Sequence, residues 1–143
     1  MPTHAEQKIL PHRPEQVFDL VADVARYPEF LPWCIATRIK SNDGGVMIAD
    51  MVIGFKVFRE QFTSKVTLER PNRIDVEYQN GPFRYLENHW LFKPEGDGHC
   101  LVDFNVDFEF RSKILEHAIG RVFTEAVHRM VTAFEIRATH LYG

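Results

Sequence analysis

Residues 100–110, CLVDFNVDFEF, carry the most constraining pattern of this sequence, because cysteine, valine and phenylalanine occupy every second position. Aspartate, asparagine and glutamate fill most of the positions between them. A period of two predicts a long antiparallel β-strand with one face buried and the other in water. A sheet that contains such a strand must cover its apolar face with a second layer of structure.

Residues 112–141 supply that layer, because their apolar positions recur at helical spacing. Ser112 is well placed to cap the start of a helix. The apolar stripe consists of Leu115, Ala118, Ile119, Val122, Phe123, Ala126, Val127, Met130, Val131 and Phe134. A helix of about 30 residues would be about 45 Å long. We therefore predict an α+β fold in which a curved antiparallel sheet wraps around one long C-terminal helix and leaves an internal apolar cavity.

The remaining segments predict further strands and short helices. A strand over residues 3–10 precedes a helix over residues 13–24, which should end near Arg26 because Tyr27 precedes a proline. After it, PEFLPW has room for only about one turn of helix. Strands then dominate from Cys34 to Phe110, in the segments CIATRIK, VMIADMVIGF, VFREQFTSKVTLE, RIDVEYQ and RYLENHWLFK.

The composition and charge of the sequence limit the classes of protein to which it can belong. No repeat or linker divides the sequence, so residues 1–143 are expected to form one domain. The formal net charge of −3 gives no field that attracts nucleic acid, and we predict no direct DNA binding. No segment has the roughly 20 apolar residues of a membrane span, and the N-terminus lacks the pattern of a secretion signal. A cytoplasmic protein is expected.

The reactive residue types form no recognisable catalytic or metal-binding motif. The sequence has no Gly-rich phosphate loop, CxxC pair or HExxH. His117 and His128 are about three helical turns apart, too far to chelate one metal ion. Cys34 and Cys100 lie in apolar patterns that should raise their thiol pKa values and leave them reduced and inert. We predict no metal site and no catalytic residue.

Two polar residues interrupt predicted apolar strand faces. Glu60 shares a face with Phe62, and Asn88 shares a face with Trp90. A buried carboxylate needs a partner or a proton, so both side chains could bind the polar head of a ligand in the cavity. Alternatively, a bulge turns Glu60 to solvent or an arginine such as Arg84 pairs with it. Glu60 also offers a general acid or base, which keeps an enzyme open as an alternative.

Residues 26–34, RYPEFLPWC, place prolines and aromatic residues where a loop would ordinarily be polar. Four interpretations are open: a buried lid, the mouth of an apolar cavity, a loop that enters a membrane surface, and a protein contact. The second and third combine if the ligand is a lipid, since Trp and Tyr favour the membrane interface. We predict that Tyr27, Phe30, Leu31 and Trp33 form this mouth and membrane contact, with Phe30 and Leu31 inserting shallowly.

Four segments of the sequence resemble those of a known family. YPEFLPWC, GFKVFREQFTSKV, GPFRYLENHWLF and VDFNVDFEF, followed by a final helix, are similar to the coenzyme-Q-binding START-domain proteins. The same group includes ribosome-association toxins of the RatA type, within the polyketide cyclase and lipid-transport superfamily. The resemblance covers roughly residues 3–141. Val57 departs from it, because a small residue such as glycine is expected there.

The resemblance implies a helix-grip fold (START/Bet v 1-like) with a tunnel between sheet and helix. It implies non-catalytic binding and chaperoning of ubiquinone (coenzyme Q) in support of respiratory electron transport. The quinone would be a bound ligand rather than a cofactor, collected by transient contact with the inner face of the cytoplasmic membrane. One alternative is a RatA-type toxin that binds the large ribosomal subunit and blocks subunit association. A second is a polyketide cyclase-like enzyme.

The residue pattern bears on each of these functions. A quinone site would be concave and apolar with a few polar groups. The expected ligand-binding residues are Phe58, Glu60, Phe62, Asn88, Trp90, Phe104, Phe108, Val122, Phe123 and Met130, with Glu60 and Asn88 at the quinone head. Contact with ribosomal RNA needs lysine and arginine to neutralise phosphates. The sequence has a net negative charge and no basic run, so it is poorly suited to bind RNA. Contact with a protein face of the ribosome stays open.

Overall fold

The computed structural model describes residues 3–55 and 58–143, except for the side chains of Phe55 and Phe58. The expected ligand contact of Phe58 and the departure at Val57 therefore lie outside the described part. The elements are β1 (Thr3–Leu10), α1 (Pro14–Ala22), a 3-10 helix (Val24–Glu29), β2 (Cys34–Asp43), β3 (Val46–Phe55), β4 (Phe58–Glu69), β5 (Arg73–Asn80), β6 (Phe83–Pro94), β7 (Cys100–Phe110), α2 (Lys113–His128) and α3 (Met130–Tyr142).

All seven strands form one curved antiparallel sheet in the order β1-β7-β6-β5-β4-β3-β2. Tight turns connect most neighbours, as the turn signals in the sequence predict. Gly81, between β5 and β6, has a φ of 146°, and a Cβ added there would lie 2.5 Å from the Cβ of Phe62. This close approach of the turn to β4 accounts for glycine at that position.

The concave face of the sheet carries the core, and the alternation that predicted β7 is confirmed. Cys100, Val102, Phe104, Val106, Phe108 and Phe110 are all buried. The three helices cover this face. Phe18 of α1 lies edge-on to Phe92 of β6, with ring centroids 5.8 Å apart, and Phe134 of α3 lies 5.2 Å from Trp90. Aromatic rings from both layers therefore interlock in the preferred edge-to-face geometry.

The predicted single C-terminal helix is wrong, because the helix is broken at Arg129. This residue has φ −101° and ψ 4°, outside helical values. Its N–H donates to both the Glu125 carbonyl (3.1 Å) and the Ala126 carbonyl (3.2 Å). The shared hydrogen bond tightens the backbone into a turn, as at a helix end. The apolar stripe continues across the break, so hydrophobic periodicity alone does not reveal it.

The first helix also ends earlier than predicted, at Ala22 rather than near Arg26. Asp23 leaves helical geometry with a ψ of 65°, and the chain then forms the 3-10 helix that contains Pro28. The hydroxyl of Tyr27 donates back to the carbonyl of Val21, over 2.5 Å. This bond folds the 3-10 helix against the end of α1 and fixes where the following loop begins.

Candidate functional site

An internal cavity of about 100 Å³ lies between the concave face of the sheet and the helices. Strands β3 to β7 form one side of it, and α1, the 3-10 helix, α2 and α3 form the other. Five of the expected ligand-binding residues line its wall: Phe62, Asn88, Trp90, Phe104 and Met130. These residues come from four different elements, so the sheet and the terminal helices together bring them to one place.

Three other expected residues lie outside this wall, and one of them, Val122, also borders the molecular surface. Val122 and Phe123 border a separate void of about 20 Å³ beside the cavity. Phe108 is buried in an aromatic cluster with Phe83 and Phe123, whose ring centroids lie 6.1 Å and 4.9 Å from its own. Phe108 and Phe123 share the expected face of their elements but lie farther along them than the cavity, so their rings pack against each other instead of bordering it.

Glu60 does not contribute to the wall formed by the described residues. It pairs with Ile53, two pairs from the Phe55–Phe58 pair at which β3 and β4 meet, and is half-buried. Phe62, one repeat further along the same face, does line the cavity. The expectation that Glu60 contacts a quinone head inside this cavity is therefore not supported by its position on the strand.

Asn88 lines the cavity, but its amide is already hydrogen-bonded to protein groups. Its Nδ2 donates to the carbonyl of Asn105 on β7, over 2.9 Å. Its Oδ1 accepts from the indole Nε1 of Trp90, over 3.0 Å. Asn88 thus orients the Trp90 ring in the wall and is a weaker candidate for a ligand head than its position in the sequence suggests.

Sequence reasoning missed two small wall residues, Ala49 and Ser64. They face each other in register on β3 and β4 and are both buried. Ser64 Oγ has no hydrogen-bond partner among the described residues. A signal was available, since Ser64 interrupts the apolar face that contains Phe62 and Val66, in the same way that Asn88 interrupts its own strand.

The loop predicted to form the mouth divides into two parts. Tyr27 and Trp33 line the cavity. Leu31, in contrast, is only 1% exposed and belongs to the core. Phe30 is half-buried between Tyr27 and Phe134, with ring centroids 6.0 Å and 5.2 Å from its own. The expected shallow insertion of Leu31 into a membrane is therefore wrong for this conformation, because that side chain already packs inside the protein as a lid.

Trp33 lies where three spaces meet. It borders the internal cavity, the small void beside Phe123, and a surface groove of about 650 Å³ along the α2–α3 break. Pro32, Ala133 and the exposed side chain of Ile136 also line this groove. Trp33 itself is half-buried. Trp33 therefore lies between the internal cavity and the surface groove.

The two cysteine thiols and the Tyr27 hydroxyl are held in their neutral forms. Burial raises the pKa of the Cys34 thiol to about 11, and burial likewise raises the pKa of the Cys100 thiol to about 11. Burial also raises the pKa of the Tyr27 hydroxyl well above its ordinary value. The predicted elevation of both thiol pKa values is confirmed. Desolvation is the cause, because an apolar environment disfavours the charged form.

The described wall is poor in groups for acid–base chemistry. Its residues include no carboxylate, imidazole, thiol, amine or guanidinium. Within residues 3–55 and 58–143, no three His, Cys, Asp or Glu side chains lie close enough to hold a metal ion. In the same part of the chain, no helix has the length and apolar character needed to cross a membrane. The cavity is suited to enclosing an apolar molecule.

Known proteins that are similar to this chain in sequence or structure have the same architecture. Residues 10–135 match the family described as polyketide cyclase / dehydrase and lipid transport. A START superfamily protein from Mycobacterium smegmatis has a similar structure, with a TM-score of 0.82 at 20% identity, covering 97% of this chain and 98% of that one. A solution structure of an 18 kDa protein from Caulobacter crescentus has a TM-score of 0.76 at 37% identity, covering 100% and 99%. The predicted helix-grip fold is confirmed.

The curated relatives include several ribosome association toxins and a coenzyme Q-binding protein. The ribosome association toxin RatA of Pseudomonas aeruginosa is 35% identical over 144 residues, covering all of both chains. A mitochondrial coenzyme Q-binding protein, the COQ10 homolog B of Xenopus laevis, is 35% identical over 144 residues, which cover 98% of this chain and 59% of that protein. Both groups appear in the resemblance drawn from the sequence. The chain belongs to the polyketide cyclase / dehydrase and lipid transport family.

Proposed function

We propose that this protein binds a hydrophobic ligand with a flat ring, most simply a prenyl quinone such as ubiquinone, and carries it without chemical change. The observation that carries the proposal is the internal apolar cavity with aromatic side chains in its wall. Phe62, Trp90 and Phe104 are almost fully buried, so a ligand ring beside them would be removed from water. Aromatic walls also favour stacked or edge-on contacts with a ring.

The size of the cavity limits which part of the ligand it holds. Pockets for whole drug-sized ligands measure roughly 300–1,000 Å³, and a cavity of about 150 Å³ is known to bind benzene. A space of about 100 Å³ thus holds little more than one ring after slight expansion. The prenyl tail would extend past Trp33 into the surface groove lined by Pro32, Ala133 and Ile136.

The groove end of the molecule is also where we place membrane contact. A prenyl quinone is almost insoluble in water, so a carrier must collect it at a bilayer surface. Ile136 is 66% exposed beside the groove, and Trp33 is half-buried there. Both side chains tolerate the interface between water and lipid. This assignment replaces Leu31, which is buried, with residues that reach the surface.

The family description names both cyclases and lipid transport, so the choice of lipid binding over catalysis is supported by the Xenopus relative and by the lining of the wall. The family description includes lipid transport, and the Xenopus relative is named for coenzyme Q binding. General acid–base catalysis needs a titratable side chain at the reacting atoms. The described wall provides none with a carboxylate, imidazole or amine, and Glu60 lies outside it. A cyclase-like reaction would therefore need a group from beyond this wall.

A fluorescence titration with decylubiquinone, a short-chain ubiquinone, tests the proposal. Trp33 and Trp90 both border the cavity, so a bound quinone ring should quench tryptophan emission in a saturable manner. Decane serves as the control for non-specific uptake and should not quench. Linear quenching that never saturates, equal to that of free tryptophan in solution, would contradict a defined quinone site.

A second candidate function is association with the ribosome. It is favoured by the full-length match to the Pseudomonas protein, which is named as a ribosome association toxin. The net charge of −3 argues for contact with ribosomal protein rather than RNA, because phosphate neutralisation needs cationic side chains. Co-sedimentation with purified large ribosomal subunits tests this candidate. Persistence of the complex in high salt would favour a protein contact, whereas no co-sedimentation at low salt would contradict the candidate.

A further inference from the structure

We propose that the hydroxyl of Ser64 donates the hydrogen bond that holds a ring carbonyl of the ligand inside the cavity. This inference rests on the proposed function and deepens it, because it specifies the head of the ligand and its orientation. The ligand class is an apolar molecule whose ring bears a carbonyl oxygen and whose chain leaves past Trp33.

The first evidence is the state of the Ser64 side chain itself. Ser64 is 5% exposed and lines the cavity. Its Oγ is a buried polar atom with no hydrogen-bond partner in the described residues. Buried hydroxyl groups are almost always hydrogen-bonded, and one without a partner calls for an explanation such as a ligand site. Because the side chain lines the cavity, a partner for the hydroxyl would come from that space.

Three other polar residues of the wall, Tyr27, Asn88 and Trp90, strengthen the assignment, because their side chains already make hydrogen bonds within the protein. Tyr27 donates to the carbonyl of Val21, and Trp90 donates to Asn88. Asn88 in turn donates to a backbone carbonyl. A buried water typically makes about three hydrogen bonds to protein groups. The wall offers one hydroxyl without a partner, which suits a ligand oxygen held by van der Waals contacts better than a water molecule.

The surroundings of Ser64 provide room for a ring. Ala49 lies directly opposite on β3, so no large side chain fills the space beside the hydroxyl. Phe62 and Val66, the next residues on the same face of β4, are buried on either side. A ring placed beside Ala49 could thus stack on apolar neighbours while its carbonyl oxygen points at Ser64 Oγ.

The proton of the hydroxyl decides which group on the ligand is recognised. A buried donor without an acceptor is rarer in proteins than an oxygen with a spare lone pair. A buried O–H without an acceptor is therefore less well tolerated than a buried oxygen with a free lone pair. A carbonyl oxygen on the ligand would accept the hydrogen bond from this O–H. Quinones carry such carbonyls on a flat ring, whereas a simple alkylbenzene offers the same shape without an acceptor.

The test compares decylubiquinone with decylbenzene, which lacks the carbonyl groups, in wild-type protein and in Ser64→Ala. Decylubiquinone binding is read from tryptophan quenching, and decylbenzene binding from its displacement of decylubiquinone. One hydrogen bond is worth about 0.5–1.5 kcal/mol, or about 2- to 13-fold in Kd. We expect Ser64→Ala to weaken decylubiquinone binding by about 5- to 10-fold and to leave decylbenzene binding unchanged. Ser41→Ala, which removes an exposed hydroxyl on β2, should change neither.

The possible results separate this inference from the proposed function. If Ser64→Ala binds both probes as the wild type does, quinone binding stands and the role of Ser64 is overturned. If Ser64→Ala weakens both probes equally, the hydroxyl shapes the cavity without recognising the carbonyl, and the inference is again overturned. If the wild type binds neither probe, the proposed function itself fails, and the inference fails with it.

Discussion

Ala49 on β3 and Ser64 on β4 are paired directly across the sheet and are the two smallest side chains in the described wall of the cavity. Along each strand their neighbours on the same face are large: Met47 and Met51 beside Ala49, and Phe62 and Val66 beside Ser64. Two small residues in register leave a depression between β3 and β4 on the concave face. The helices that cover the sheet close this depression into a cavity.

Ala49→Leu should fill the cavity and abolish decylubiquinone binding while the protein stays folded. The added carbons enter existing space, so we expect the free energy of unfolding to change by no more than about 1–3 kcal/mol, the usual cost of overpacking. Tryptophan quenching and urea denaturation measure the two effects. Ala36→Leu, on the exposed part of β2, is the matched control and should bind normally. Normal quinone binding by Ala49→Leu would place the ligand outside this cavity.

Ser64→Ala should stabilise the ligand-free protein, in contrast to most substitutions in a core. A buried hydroxyl without a partner costs about 1–3 kcal/mol, so its removal should raise the free energy of unfolding by about 1 kcal/mol. Urea denaturation of lipid-free protein measures this change. A loss of stability on substitution would mean that the hydroxyl has a hydrogen-bond partner in the folded protein.

Leu31→Ser should destabilise the protein severely, since the side chain is 1% exposed. Truncating a buried leucine costs about 2–5 kcal/mol, and a serine hydroxyl in its place adds a desolvation cost. Ile35→Ser is the control, because Ile35 is 43% exposed and should change stability by about 0.5 kcal/mol or less. Thermal unfolding compares the two. Near-wild-type stability of Leu31→Ser, together with slower quinone uptake from vesicles, would restore the membrane-insertion interpretation.

The link between Glu29 and Arg137 should make the loop sensitive to acid. Arg137 Nη2 donates to Glu29 Oε1 over 2.6 Å, and this hydrogen bond, opposed by desolvation and reinforced by the nearby positive charges, holds the Glu29 pKa below its ordinary value. A carboxylate with a lowered folded-state pKa contributes stability above its unfolded pKa, about 4.3. That stability is lost as pH falls through the folded pKa.

The comparison of wild type with Glu29→Gln isolates this effect. The wild type should be the more stable protein at neutral pH, and the difference should shrink as pH falls below about 4. Urea denaturation at a series of pH values measures it. A difference that is constant from neutral to acidic pH would show that the charge on Glu29 does not stabilise the loop.

Both cysteine thiols should react slowly with thiol reagents in the folded protein. With pKa values of about 11, about one thiol in a thousand is ionised at pH 8, and only the thiolate is nucleophilic. Cys34 and Cys100 are also 3% and 0% exposed. Ellman's reagent should therefore label them at the rate of unfolding and rapidly after denaturation. Fast labelling of one thiol in native protein would show that the surrounding core opens readily.

The strands were predictable because each half-buried strand repeats its pattern with a period of two, as β7 does most clearly. The break in the C-terminal helix at Arg129 was not predictable from the sequence, since the apolar stripe runs from Val127 to Met130 and Val131 without interruption. One residue with non-helical backbone angles interrupts the backbone hydrogen bonds of the helix. It leaves the spacing of apolar residues in the sequence unchanged, so the pattern does not reveal it. Where a helix ends without proline or glycine, tertiary packing decides the position.

Part of the cavity wall was also predictable from the alternation of apolar residues along the strands. Alternation assigns a side chain to a face, and Phe62, Trp90 and Phe104 do lie on the face that borders the cavity. Alternation does not give the height along the strand at which the helices close over the sheet, so it does not reveal that Phe108 lies outside the cavity wall. Small residues add little to a hydrophobic pattern, which is why Ser64 escaped notice although its lack of bulk helps to form the space.

Native mass spectrometry of the protein purified gently from a quinone-producing cell tests the central claim most directly. We expect a fraction of the wild-type protein to carry one extra mass that corresponds to a prenyl quinone, released on activation in the gas phase. Ala49→Leu, purified in the same way, should lack that mass because its cavity is filled. Wild-type protein without bound lipid, or an identical bound lipid in Ala49→Leu, would contradict a quinone site between the sheet and the terminal helices.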